Sequence, residues 1–530
     1  MGNQEARGDI VQSAEQIRTH KQDNFFDIVS ERSAIWQKLV PIILASFTVK
    51  FFLAWCFPFT GDEAYVVLWG KYLASGYYDH PPLTGWLLHL LMYLGKSPVL
   101  IRLPAVLFST AIGVGIYVLL RPYDHRKAYY ACLLYLLSPV NNTLFVVLTD
   151  TPLQLFSFLS VFFLFRAEKT RSYLYYFLSG IFLGLAFLSK YFVILLAVSY
   201  FIYFLSVRKD HKRLKGFLLI GLGLLPFIVQ NAVWNYNNGW PNIMHNWINR
   251  FTAQSNPAIN LLSLAVYLCY IVTLPVLYYL FKNKTGIIRN LWQGNFRIFT
   301  VLSLVPVFVF FVVSFQRPVR PHWYLSFFPF VYIMAGLLFE KKQIDKCIKH
   351  SLVFSLVQVC LLIAASFAPV TRLKGSINES DFASLVTYMY PQKVLESLTD
   401  YKDSFVLATK SYSRSALFEY FGSEKVIVFG KGSKHGRQHD ILTNFKELDG
   451  QNISILRKGT LYDSEYQPCF AKMEIKHFSV EGATFSLILG YGFKYPEYRE
   501  RYLLTAMERY YQVPDWLPGP KSFFHKKYDF

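Results

Sequence analysis

Apolar residues along the 530-residue chain gather in long runs separated by short polar breaks. A hydrocarbon core of about 30 Å takes about 20 apolar residues per helix. Runs of that character lie at 39–57, 98–120, 128–148, 151–165, 173–189, 191–207, 216–234, 259–281, 298–315, 322–339 and 351–369, which predicts eleven transmembrane helices. The run at 151–165 is short, and Ser189-Lys190 alone separates two of the others. Within the long break 58–97, the stretches Ala64–Trp69 and Trp86–Leu91 read as helices lying in the membrane interface. Beyond 369 the pattern changes. Ser404–Thr409, Lys425–Phe429 and Ile453–Leu456 read as strands, and Tyr498–Tyr511 reads as a helix. The expected fold class is therefore a mainly α-helical polytopic membrane protein with a small C-terminal α/β domain. Its parts are a cytoplasmic segment 1–38, a membrane domain 39–369 with long loops 58–97 and 235–258, and a domain 370–530.

Loop charge orients the set. With the N-terminus in the cytoplasm, the loops on that side carry 24 Lys and Arg, and the alternate loops carry six: Lys71, Lys96, Lys190, Arg250, Arg317 and Arg320. That asymmetry follows the positive-inside rule, and an odd span count then puts 370–530 outside the cytoplasm. Cations kept on the sparse side need another reason to be there.

Composition agrees. The chain is 53% hydrophobic and 18% aromatic but only 17% charged, where a soluble chain carries about a quarter. That excludes a soluble multidomain enzyme, a disordered scaffold and a secreted disulfide framework. The net charge of +20 invites a nucleic-acid partner, yet residues 370–530 hold 22 Lys and Arg against 19 Asp and Glu. The excess sits in loops between apolar runs, where it reports topology. No nucleic acid is expected, and the partners are membrane lipids. Only Cys469 of the six cysteines falls in the C-terminal region, so no disulfide is expected within it. The first 38 residues are polar and the first apolar run is long, so no cleavable signal peptide is expected.

Candidate chemistry lies on the cation-poor side. Thr60-Gly61-Asp62-Glu63-Ala64-Tyr65 follows the first run. Thr60 and Glu63 fit a capping box, which leaves Asp62 spare as a general base or metal ligand. The block Gly76-Tyr77-Tyr78-Asp79-His80-Pro81-Pro82-Leu83 comes next. Asp150, in Leu148-Thr149-Asp150-Thr151-Pro152-Leu153, is either an N-cap or a site acid. Lys190 is a lone cation between two apolar runs, either snorkelling or binding an anion. Arg317-Pro318-Val319-Arg320-Pro321-His322-Trp323-Tyr324 reads as an aromatic belt with two interfacial arginines or as a phosphate-binding turn. His245 lies in the Trp- and Asn-rich loop 235–258 and could join His80 or an acid at a metal.

These motifs, in this order and on one side, resemble the membrane glycosyltransferases of the GT-C fold. The likeness covers roughly residues 39–340. It is nearest to the bacterial branch of lipid A aminoarabinose transferases and protein O-mannosyltransferase-like proteins. The resemblance implies an inverting enzyme that moves one sugar from a polyprenyl-phosphate donor to an acceptor, with lipid A or a related glycolipid favoured. The reaction would take place at the outer face of the bacterial inner membrane. It implies Asp62 as the catalytic acid with Glu63 beside it. Lys190, Arg317, Arg320 and Tyr324 would hold the donor phosphate. Asp79, His80, Asp150 and His245 would contact substrate or a metal. The one cofactor it admits is a divalent metal ion. Two departures bear on zinc: His80 replaces the lysine of the family's acid–cation pair, and His245 is two residues from the family's histidine.

Other readings use the same residues differently. Protein O-mannosyltransfer to Ser or Thr would employ the same donor chemistry. A transporter or lipid flippase would want charges gathered in mid-span and a repeat between halves, whereas the charged residues cluster at helix ends and no repeat is found in the sequence. Eleven spans exceed what a simple anchor needs.

Overall fold

The computed structural model describes residues 35–206, 210–249, 256–294, 296–431 and 436–530. Every predicted apolar run is helical there for most of its length, but the runs are not uniform spans. Among the described residues, five helices are long and apolar enough to cross a membrane: Ile35–Cys56, Pro98–Leu120, His211–Asn237, Arg297–Ser314 and Lys341–Phe367. The run at 259–281 is two helices, Pro257–Ile271 and Leu274–Lys282, bent by 98°. The break falls at Thr273, held at a φ of 69°, with Pro275 just inside the second helix. The run at 128–148 breaks at Ser138-Pro139, because a proline cannot continue the preceding ladder. Tyr173–Ser189, Tyr191–Leu205 and Phe328–Leu338 are shorter apolar helices. An apolar run fixes helix and burial, and it does not fix one straight crossing.

Small residues set the tightest packing in the bundle. A Cβ on Gly180 would lie 2.2 Å from the Ile220 carbonyl oxygen, and one on Gly223 would lie 2.6 Å from that of Phe177. Helices Tyr173–Ser189 and His211–Asn237 therefore meet backbone to backbone, the arrangement small residues permit between apolar helices.

The C-terminal region builds a five-stranded sheet in the order β2-β1-β3-β5-β4. Its strands are β1 (Val406–Thr409), β2 (Ile427–Val428), β3 (Ile453–Lys458), β4 (Phe470–Val480) and β5 (Ala483–Phe493). β2, β1 and β3 are parallel, whereas β5 is antiparallel to β3 and to β4. The three expected strands are present. The β4–β5 hairpin is an addition that the sequence pattern did not announce. The helical stretch Tyr495–Tyr511 matches the expected C-terminal helix, with two π-helical segments in it.

The loop 58–97 forms both expected helices, Gly61–Lys71 and Leu83–Met92. The first corrects the interfacial reading. From Glu63 to Gly70 every residue is buried, because helix Tyr412–Gly422 of the C-terminal region packs on it. A Cβ on Gly61 would lie 2.7 Å from Ser413 Cβ. Lys71 pairs with Glu419 at 2.7 Å, and Phe59 stacks on Tyr420 with centroids 4.4 Å apart. The helix serves as the joint between the bundle and the C-terminal sheet.

Candidate active site

Thr60 caps helix Gly61–Lys71 with the expected capping box, and this sets the two acids of its first turn in opposite directions. Glu63 points inward and is fully buried. It takes Nε and Nη2 of Arg102 at 2.7 Å each, together with the Thr60 N–H at 3.0 Å and the Val147 N–H at 3.3 Å. Arg102 completes its fork on the carbonyls of Ala54, Phe57 and Pro58. Glu63 is thus a structural acid locking the first span, the helix and the turn before Asp150, which corrects its expected place beside the reacting group.

Asp62 points the other way and stays open to solvent. The protein around it still withdraws enough hydration to raise its pKa, and the negative charges of Asp79 and Glu63 add to that rise. A carboxylate tuned upward and left accessible is suited to accept a proton. The sign of the pH effect follows. A base at Asp62 would work only above its raised pKa, so an activity that depends on it is expected to fall as pH drops through that value. Asp79→Asn removes the repulsive charge and is expected to move this acid limb of the rate–pH profile to lower pH, a shift read from initial rates across a buffer series.

Asp79 is held from three sides. The Tyr65 hydroxyl donates to its Oδ1 at 3.2 Å, His80 Nδ1 lies 3.7 Å from its Oδ2, and Asn246 Nδ2 donates to its carbonyl at 3.0 Å. The C-terminal region closes over this corner. The Gln438 N–H donates to the Tyr65 hydroxyl at 2.8 Å, and Gln438 Oε1 accepts from the Tyr78 N–H at 2.9 Å.

His439 stacks on the Tyr65 ring with planes 8° apart. It is buried, with neither ring nitrogen hydrogen-bonded among the described residues. Burial, reinforced by Arg437 and Lys425, pushes its pKa down to about 3, so the ring is neutral at ordinary pH. Sequence reasoning missed His439 because a lone histidine far from any motif gives no signal.

A second acid–cation pair joins two distant turns. Lys190 Nζ donates to Asp150 Oδ2 at 2.7 Å with both side chains nearly buried, while Asp150 Oδ1 is sealed without a hydrogen bond among the described residues. Lys190 leans on the Phe192 ring, 5.5 Å from its centroid, and Phe192 packs at a tilt against Trp323, with centroids 4.6 Å apart. The 317–324 turn is thereby brought to the lysine. Arg320 is exposed, and Tyr324 is buried against Phe310 with its hydroxyl lacking a hydrogen bond. Arg317 lies half-buried in the same turn.

The two centres are tied by amides. The Tyr191 hydroxyl lies 2.6 Å from both Asn231 Oδ1 and Asn242 Oδ1. Asn242 Nδ2 donates to the carbonyls of Tyr77 and Tyr78 at 2.6 and 2.9 Å. Lys190 and Asp79 therefore flank one buried amide network. His245, three residues past Asn242, is buried edge-on to Tyr78 at 5.5 Å. Arg250 falls outside the described residues.

Among the described residues, no three His, Cys, Asp or Glu side chains gather as metal ligands. Asp79 and His80 approach each other, while His245 packs edge-on to Tyr78.

Comparison with known proteins bears on the fold. Residues 79–234 match the family described as dolichyl-phosphate-mannose-protein mannosyltransferase. Two crystal structures of ArnT from Cupriavidus metallidurans, one bound to undecaprenyl phosphate and one in the apo state, each align with a TM-score of 0.58 at 14% identity. They cover 85% and 86% of this chain and 98% of their own. The fold is GT-C. The GT-C architecture makes the chain a multi-pass membrane protein with a small C-terminal sheet, as the apolar runs led us to expect. The cryo-EM structure of the arabinofuranosyltransferase AftD from Mycobacteria also aligns, at 13% identity and a TM-score of 0.44, over 85% of this chain and 40% of its own. No curated protein matches the sequence.

Proposed function

We propose that this protein is an inverting glycosyltransferase that moves one sugar from a polyprenyl-phosphate donor to a glycolipid acceptor, lipid A or a relative of it. In this reading it works at the outer face of a bacterial inner membrane, with its N-terminus cytoplasmic and its C-terminal domain periplasmic. The observation that carries the reading is the presence of two unlike centres: Asp62, an accessible carboxylate whose pKa is raised in part by the charge of Asp79, and Lys190, nearly buried beside an arginine- and aromatic-rich turn, with one amide network running from Asp79 to Lys190. As the bond between the anomeric carbon and the phosphate oxygen breaks, negative charge grows on the leaving phosphate. Lys190 and Arg320 stabilise that charge where little water competes. The acceptor oxygen attacks the opposite face of the sugar, and Asp62 takes its proton or, for an acceptor already ionised, orients it. Asp150 holds Lys190 in place until the phosphate arrives. The undecaprenyl phosphate bound to the ArnT structure of the same fold supports a polyprenyl-phosphate ligand here.

A second reading, transfer of mannose to protein hydroxyls, is favoured by the mannosyltransferase family match over 79–234. It uses the same donor side and differs in the acceptor.

The donor side has its own test. Lys190→Gln is expected to weaken binding of undecaprenyl phosphate by about 10- to 100-fold, the loss of one charge-assisted contact. Lys190→Arg is expected to keep most of it. Tryptophan fluorescence of the purified full chain, titrated with undecaprenyl phosphate, reads both. Equal affinity of the wild type and Lys190→Gln would remove the lysine from the donor site.

A further inference from the structure

An unneutralised group of cations stands at one end of the C-terminal sheet. The chain leaves β1 toward β2 at one edge of the sheet and leaves β3 toward β4 at the other. The crevice between the carboxyl ends of two parallel strands that diverge in this way is where open α/β sheets take ligands. Here the crevice is lined by Thr387, Thr409, Arg414, Arg457 and Lys458 over an apolar floor of Phe418, Leu456 and Phe485.

Arg414 lies in the first turn of helix Tyr412–Gly422, where no side chain caps the helix and no acid complements its dipole. A cation in that position opposes the dipole. Neither Arg414 nor Arg457 has a hydrogen bond or an ion pair among the described residues. Lys458 is anchored by Ser384 Oγ at 2.5 Å and the Ser380 carbonyl at 3.1 Å, both uncharged. The nearby acid is Asp381, which acts on Lys458 from a distance while accepting from Asn378 Nδ2 at 2.6 Å. Burial holds both Arg414 and Lys458 below their ordinary pKa values; repulsion from Arg457 adds to it at Arg414, and repulsion from Arg414 adds to it at Lys458. Three half-buried cations kept together, with no acid in an ion pair with them among the described residues, leave a charge for a ligand to complete.

We infer that Arg414, Arg457 and Lys458, with the N-terminus of helix Tyr412–Gly422, bind a phosphate group. The helix end supplies uncapped N–H groups, and the two guanidinium forks match phosphate oxygens. The crevice is closed in this structure, so Arg414, Arg457 and Lys458 would have to swing their long side chains outward to admit the anion. Its place also suggests what bears the phosphate. Ser413, the residue before Arg414, is packed on Gly61, the residue before Asp62. A phosphate held here belongs to a molecule that reaches toward the Asp62 carboxylate: a phosphorylated acceptor. The anion site stands on its own, and only this assignment of the bearer rests on the transferase reading.

The test follows thermal unfolding of the full chain in detergent, with inorganic phosphate replacing chloride at constant ionic strength. The wild type is expected to gain a saturable rise in its midpoint. The Arg414→Gln/Arg457→Gln double variant is expected to need at least tenfold more phosphate for the same rise. Without phosphate it is expected to melt no lower than the wild type, because the repulsion is gone. Dihexanoyl phosphatidic acid is the second probe. A half-effect at tenfold lower concentration than phosphate identifies a lipid-borne phosphate, and an equal concentration identifies a soluble one; either supports the site. No rise in the wild type, or an undiminished rise in the double variant, overturns it. An active Asp62→Asn enzyme would sink the transferase mechanism and leave this result standing.

Discussion

Asp62→Asn is expected to lower sugar transfer by about 10²- to 10⁴-fold, the range lost when a positioned acid–base group is removed. The folded protein is expected to survive the change unharmed. The raised pKa of Asp62 means that the folded state disfavours its ionised form. Above that pKa the carboxylate therefore costs stability relative to the unfolded chain, and the cost disappears as pH falls through it. The neutral amide removes the repulsion from Asp79 and Glu63. The thermal midpoint at neutral pH is thus expected to hold or rise while turnover collapses. Initial rates and unfolding scans on the same preparation read both. A variant that loses midpoint and turnover together would mark Asp62 as a structural acid.

The neighbouring residue should behave in the opposite way. Glu63 and Arg102 are both fully buried and share two hydrogen bonds of 2.7 Å. Arg102→Leu leaves a buried carboxylate with its chief partner gone, and Glu63→Leu leaves a buried guanidinium likewise. Either single change is expected to destabilise the protein by about 3–5 kcal/mol. The double change to leucine should recover much of that loss, since an apolar pair of similar volume often replaces a buried ion pair at little cost. Denaturation midpoints of the two singles and the double, closed as a cycle, give the coupling. Independent, small losses in all three would mean that the pair does not lock the first span to helix Gly61–Lys71.

What the sequence made legible follows from which signals were local. Apolar runs gave the helices, because burial in a bundle or a bilayer asks the same thing of every position. The capping box at Thr60 was also legible, yet its consequence for Glu63 was not, since Arg102 lies 39 residues on inside an apolar run. Lys50 was hidden in the same way. It sits within the first span and meets Ser109 Oγ at 2.8 Å and Asn141 Oδ1 at 3.0 Å. Ionised groups within apolar runs were the available clue, because the bilayer makes an unpaired one costly.

Asp150 and Lys190 were each singled out, but their pairing at 2.7 Å could be seen only once the fold brought the two turns together. β5 escaped notice because it is buried on both faces through most of its length and so lacks alternation. The hairpin turn after β4 is Glu481-Gly482, both at positive φ, in place of the stronger Asn-Gly signal. The closure of Gln438 and His439 over Asp79 depends on docking between distant parts of the chain, which no local pattern reports.

Sugar transfer itself is tested most directly by mass spectrometry of lipid A and total glycolipids from three strains: one with the wild-type chain, one with Asp62→Asn and one with neither. The account predicts a glycolipid heavier by one hexose, hexosamine, uronic acid or pentosamine in the first strain alone. Identical lipid profiles in all three would contradict glycolipid transfer.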